Sequence, residues 1–271
     1  MSDLCIREYE KRDHAALTRL WAETFGDDEA LISAFLRLLP EMGGCVAAER
    51  EGRIVGAAYL ITGMELASPA GEKQLLGYLY AVAVEPAARG RGVGAALSRA
   101  AFDWGRARGA QILCTQPAEP RLFDWYGEVL GVRCALRRRV ETYSSAALEP
   151  CMELSCTDYR FWRERMLQER PHIRLGDAAL SFQQLLCRSY GGGFFAVGDG
   201  VAAATLENGR CVVRELLCPD EAGRRALAAS LGAQLGAAET LLYTPDPDGE
   251  PYIAAPDGAL PPDCVWNLSF D

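Results

Sequence analysis

The stretch VEPAARGRGVGAAL, residues 84–97, sets three glycines and four alanines around Arg89 and Arg91. An apolar run, LLGYLYAVAV, precedes it. A helical pattern follows over residues 93–108, with Val93, Leu97, Ala101 and Trp104 on one face. A loop that ends a strand and opens a helix gathers unpaired backbone N–H groups at the positive end of the helix dipole. It is a natural anion site. Gly92 and Gly94 let a ligand approach the backbone closely, and Arg89 and Arg91 add charge suited to phosphate oxygens. Taken alone, the loop fits a tight turn with surface arginines equally well.

Two common phosphate loops fail here. Gly90-x-Gly92-x-x-Ala95 matches the spacing of a dinucleotide fingerprint, but Glu85 to Arg89 separate the strand from the first glycine. The next strand, QILCTQP, ends without the acid that such a site needs. A Walker loop is excluded because no Gly-Lys-Ser/Thr follows.

Upstream, Asp13 reads as the cap of a first helix and Asp27 or Asp28 as the cap of a second, which Pro40 is expected to end. CVAAER and RIVGAAYLIT flank Glu51-Gly52 as a β-hairpin. Downstream, QILCT reads as a buried strand, RLFDWYGEVL as a short helix and VRCALRRRVETY as a strand or hairpin. Residues 1–145 therefore form a mixed α+β domain. Residues 146–165 lead into a second one, 146–271, where FFAVGDGVAAATLENG, CVVRELLCP, DEAGRRALAASLGAQLG and TLLYTP repeat the order hairpin, strand, helix, strand.

Composition limits the partners. The 271 residues carry a formal net charge of −9, which disfavours nucleic acid and tilts slightly towards cationic ligands. No apolar run reaches the roughly 18 residues of a membrane span, and the start lacks a signal-peptide segment, so a cytoplasmic protein with no membrane partner is expected. Ten scattered cysteines without a CxxC pair, and only His14 and His172, predict reduced thiols and no metal.

Arg89-x-x-Gly92-x-Gly94, following YLYAVAV and Glu85-Pro86, resembles the coenzyme A loop of the GNAT acyltransferases, [RQ]-x-x-G-x-[GA]. The order of elements over residues 4–145 is similar to that family throughout. The chain as a whole resembles the tandem members, such as two of the three domains of the enhanced-intracellular-survival acetyltransferases. The resemblance implies two tandem copies of the GNAT fold, a mixed and mostly antiparallel sheet with helices on both faces, the second copy degenerate.

It also implies acetyl-CoA or another acyl-CoA as cosubstrate, and transfer to a primary amine of a small molecule or peptide. The pantetheine arm is expected on the backbone of Val82 and Val84, and the pyrophosphate on the amides of Arg89, Gly90, Arg91, Gly92, Val93, Gly94 and Ala95. Tyr126 is the expected proton donor to the leaving thiolate. It stands five residues before Gly131, one more than the family spacing, so it faces either the site or the packed surface beside Trp125. No side chain qualifies as the base: Glu119 and Glu65, read as loop carboxylates, are candidates beside ordered water. Tyr78 and Tyr80 share a strand face that lines an acceptor pocket or packs the core. In the second domain, Asp220 and Glu221 stand where the pyrophosphate would lie, so no coenzyme A is expected there. The chain is expected as a monomer or homodimer. A non-catalytic acyl-CoA-binding module is the rival reading.

Overall fold

The structure, a computed structural model, describes residues 4–220 and 222–270. The first half runs β1 (Cys5–Glu8), α1 (His14–Phe25), α2 (Glu29–Met42), β2 (Gly43–Arg50), β3 (Arg53–Ala67), β4 (Lys73–Val84), α3 (Val93–Ala107), β5 (Ile112–Thr115), α4 (Arg121–Leu130) and β6 (Arg133–Ser144). The second runs β7 (Cys151–Glu153), α5 (Cys156–Leu167), β8 (His172–Leu175), α6 (Asp177–Ser189), β9 (Gly193–Val197), β10 (Gly200–Glu207), β11 (Arg210–Leu217), α7 (Arg224–Gln234), β12 (Glu239–Pro245) and β13 (Glu250–Ala255).

Strand alternation builds the layers. Ala57, Tyr59 and Ile61 of β3 point into one core with Leu17 and Trp21 of α1 and Phe35 and Leu39 of α2. Ala58 and Leu60 point to the opposite face, against Val93, Leu97 and Ala101 of α3. The first core is shared between the halves, because Tyr159 of α5 and Leu180 and Phe182 of α6 belong to it. Each fully buried Phe or Leu there contributes roughly 1.5–3 kcal/mol of transfer free energy.

The two halves share a pairing pattern. In the first, β1–β2, β2–β3 and β3–β4 are antiparallel and β4–β5 is parallel. In the second, β7–β9, β9–β10 and β10–β11 are antiparallel and β11–β12 is parallel. They join in one sheet of order β1-β2-β3-β4-β5-β13-β6-β12-β11-β10-β9-β7, with β8 on β3. The last strand, β13, therefore lies between β5 and β6 of the first half, and β6 bridges the halves by pairing with both β13 and β12. The fold is α+β with a mostly antiparallel sheet and seven α-helices among the described residues.

Two local expectations change, at Pro40 and Asp13, and the choice between two caps for α2 is resolved. Pro40 does not end α2, which runs on to Met42. It removes one N–H donor in the last turn, and the buried Leu39 and Met42 on either side hold that turn helical. The Asp13 carboxylate makes no cap bond to α1 and instead accepts the Glu10 N–H and a bidentate Arg7. Asp28, not Asp27, caps α2 by accepting the Leu31 N–H at 2.8 Å, while Asp27 accepts the Trp21 indole N–H.

One polar cluster is fully enclosed in the second half. Arg163 of α5 and Glu215 of β11, 1% and 0% exposed, form a forked pair with Nε to Oε1 at 2.7 Å and Nη2 to Oε2 at 3.2 Å. The Tyr159 hydroxyl donates to the same carboxylate at 2.6 Å. Desolvation of two charges opposes such a pair, and hydrogen bonds on both partners offset it.

Candidate functional site

The site begins where β4 and β5 part. Their pairing stops at Leu79↔Thr115, but β4 continues to Val84. At that point β4 also carries one residue more than β3: Leu60 opposes Leu79 and Tyr59 opposes Ala81, leaving Tyr80 as the bulge. A bulge bends its strand, so β4 turns away from β5 where the pairing ends.

The freed edge of β4 has a fixed phase. The Glu85 N–H bonds to Val55 O across β3, so alternation turns the N–H groups of Ala83 and Ala81 towards β3 and those of Val82 and Val84 towards the gap. Arg89 agrees with this, since its Nε donates to Val84 O at 2.9 Å from the open side. Both strand residues singled out from the sequence thus present their amides to the cleft.

The loop continues from that edge. Pro86–Ala88 form a single 3-10 turn, Gly90 and Gly92 take positive φ of 71° and 77°, and Gly92 is the N-cap of α3 without any side-chain cap. The first intrahelical donor is the Ala96 N–H, to Gly92 O, which leaves the amides of Val93, Gly94 and Ala95 free of intrahelical acceptors. Arg89 and Arg91 are exposed beside them. Gly94 has room for a Cβ, with Val84 and Trp125 at 3.8–4.0 Å, so this loop needs glycine at 90 and 92 for their backbone and not at 94 for space.

Tyr126 closes the inner end. Helix α4 is regular to its left-handed cap at Gly131, and its inward turn carries Tyr126, 8% exposed, into the core with Leu79, Val93 and Leu97. The last residue of β5, Thr115, is buried, and its hydroxyl donates to Leu79 O at 2.9 Å. Burial raises the phenol above its usual value near 10. Tyr126 is therefore protonated at neutral pH and sits where the strands part. Trp125 packs against it, ring centroids 4.8 Å apart, and faces Gly94.

Beside the parting strands lies a cavity of about 680 Å³, lined by Tyr78, Tyr80, Gln116, Glu119, Phe123, Arg138, Glu250, Tyr252 and Phe270 among others. Tyr78 and Tyr80 face it together, their rings 6.2 Å apart. The Tyr78 hydroxyl donates to Ser269 O, so the C-terminal segment forms part of the wall. Glu119 borders the cavity but is ion-paired with Arg121. Glu65 is no loop carboxylate: it lies inside β3, away from this cavity, paired with Lys73 and Arg174. Glu250, Tyr252, Ser269 and Phe270 were not foreseen, because nothing local in the sequence ties β13 and the segment after it to β5. Among the described residues, no group of three or more His, Cys, Asp or Glu is placed to hold a metal ion.

The second half repeats the strand geometry with a different outcome. Pairing of β11 with β12 ends at Val213↔Leu242, and Arg214 is the extra residue, as Tyr80 is in β4. Yet the space between the parted ends is only about 40 Å³, and Val265 and Asn267 of the C-terminal segment line it with Arg224 and Leu216. The following helix starts at Gly223 with φ −73°, lacking the left-handed glycines. Before it, the Asp220 carboxylate accepts the Ala222 N–H. Glu221 lies outside the described residues.

Comparison with known proteins agrees with this architecture. The acetyltransferase (GNAT) domain family matches residues 5–128. The fold is similar to that of a GCN5-related N-acetyltransferase from Kribbella flavida, at 18% identity and TM-score 0.70 over 94% of this chain and 71% of that one. It is similar to Eis1 from Mycobacterium abscessus, at 15% identity and TM-score 0.60 over 92% and 66%. A GCN5-related N-acetyltransferase from Anabaena variabilis gives 13% and 0.67 over 93% and 72%. No curated protein matches the sequence. Residues 5–128 of this chain thus match the acetyltransferase (GNAT) domain family, and the chain as a whole shares the α+β fold of the GCN5-related N-acetyltransferases to which it is similar.

Proposed function

We propose that the first half is an N-acyltransferase that takes an acetyl or short acyl group from acyl-CoA to a primary amine of a small molecule or peptide. The observation that carries this reading is the freed edge of β4, with the amides of Val82 and Val84 turned outward, running into the uncapped start of α3, with Tyr126 packed against Leu79 where the strands part. Val82 and Val84 hold the pantetheine arm as an added strand. The amides from Arg89 to Ala95 hold the pyrophosphate, with Arg89 and Arg91 flanking it. A neutral amine attacks the thioester carbonyl carbon, the C–N bond forms, and the C–S bond breaks. A β4 amide near Val82 stabilises the oxyanion. Tyr126 gives its proton to the departing sulfur and is reprotonated from solvent, while the amine's surplus proton leaves to water.

The aromatic cavity beside Tyr80 receives the acceptor. Its carboxylates Glu119 and Glu250, with the acid surplus of the chain, favour a cationic amine. The rival reading, a module that binds acyl-CoA without turnover, draws on the ion pairing of Glu119, which leaves that carboxylate poorly placed as a base.

The second half does not take acyl-CoA in this account. Its 40 Å³ gap has room for a few waters and not for a pantetheine arm. Calorimetric titration with acyl-CoA is expected to give one site per chain, and two sites refute the assignment. Gly92→Val is expected to weaken that site about tenfold or more, because a β-branched residue at φ 77° costs on the order of 1–3 kcal/mol and displaces the amides.

A further inference from the structure

We propose that Arg138 selects the acceptor, and that the acceptor is an amine which also carries a carboxylate, a basic amino acid fitting best. The inference rests on the reading of the first half as an acyltransferase and narrows its acceptor. Arg137, Arg138 and Arg139 follow one another in β6, and strand alternation divides them. Arg137 and Arg139 are exposed, the first donating to Gly249 O and the second paired with Glu141 and Asp246. Arg138 is half-buried and lines the cavity beside Tyr78 and Tyr80. Its backbone is held on both sides, opposite Glu250 of β13 and Pro245 of β12.

The guanidinium lies against two rings. Its central carbon is 4.2 Å from the Tyr243 ring centroid and 4.8 Å from that of Tyr252, one residue on each neighbouring strand. Rings that cover the face of a guanidinium direct its N–H groups into the plane, the geometry that takes a carboxylate through two parallel bonds. Glu250 stands opposite in the ladder, and a bidentate carboxylate takes two of the five N–H donors of an arginine. Among the described residues, the charged lining of the cavity is Arg138 with Glu119 and Glu250, one cation and two carboxylates. Its complement is a molecule with one carboxylate and two amino groups, as in lysine or ornithine. One of those amines loses its proton before attack. The acidic lining accounts for a cationic amine, and Arg138 accounts for the carboxylate beside it.

The test uses pairs of amines that differ only in the carboxylate: lysine with cadaverine, ornithine with putrescine, and tyrosine with tyramine. Each is assayed with acetyl-CoA and the full chain for thiol release and acylated product. In the parent, kcat/KM is expected to favour the amino acid of at least one pair by about tenfold or more. Arg138→Gln, and Arg138→Met, which keeps an apolar stem against the rings, are expected to bring that ratio to about one, chiefly by raising KM for the amino acid. A ratio that both variants leave unchanged overturns the proposal, because a merely structural tie between β6 and β13 slows both members of a pair alike. Should neither variant fold, the parent's ratio decides: about tenfold supports the proposal and about one overturns it. Acylation only of amines without a carboxylate also overturns it and leaves the acyltransferase reading standing. If no amine is acylated, that reading falls and takes this proposal with it.

Discussion

Tyr126→Phe is expected to lower turnover at least tenfold while acyl-CoA binds as in the parent. The ring is packed among Leu79, Val93 and Leu97, and phenylalanine keeps that packing, so the fold should be little disturbed. What disappears is one ionisable O–H at the point where β4 leaves β5. General acid catalysis by a placed side chain contributes roughly 10²–10⁴-fold, and solvent can supply part of the lost proton, which is why tenfold is the lower bound. The check is steady-state thiol release together with a binding titration. Unchanged turnover excludes Tyr126 as the donor.

Arg163→Met is expected to destabilise the protein by roughly 3–5 kcal/mol, because it leaves the Glu215 carboxylate enclosed with only Tyr159 as partner. The double change Arg163→Met with Glu215→Leu removes both charges and is expected to recover most of that loss. Chemical denaturation of the three proteins decides it. A double variant no better than the single one shows that the side-chain volumes, not the charges, matter here. Glu215 follows the bulged residue Arg214 as Ala81 follows Tyr80, so a carboxylate fixed by Arg163 stands where the first half keeps a small side chain beside its cleft.

Local features were readable from the sequence. The hairpin at Glu51-Gly52 and the helical stripe of residues 93–107 follow from periodicity and turn chemistry acting over a few residues. The order of elements in the second half was readable for the same reason. The bulge at Tyr80 was not, because LLGYLYAVAV alternates smoothly through it and only pairing with β3 reveals the extra residue. Nor was the direction of Tyr126, which depends on how α4 is rotated against β5. The largest omission is β13. Its insertion between β5 and β6, and the passage of residues 265–270 from the second half's gap to the cavity beside Tyr78, are contacts across more than a hundred residues that no local pattern encodes. They supply Glu250, Tyr252 and Phe270 to the cavity.

The central claim is that the surface from Val82 to Ala95 presents a thioester to an amine and that the chain completes the transfer. Thiol release from acetyl-CoA, followed alongside mass spectrometry of a panel of primary amines that includes cationic small molecules and lysine peptides, tests this directly. The account predicts amine-dependent free thiol in step with an acylated amine, and both slowed at least tenfold in Tyr126→Phe. Stoichiometric binding of acetyl-CoA without thiol release for any amine contradicts it and establishes the chain as a binding module.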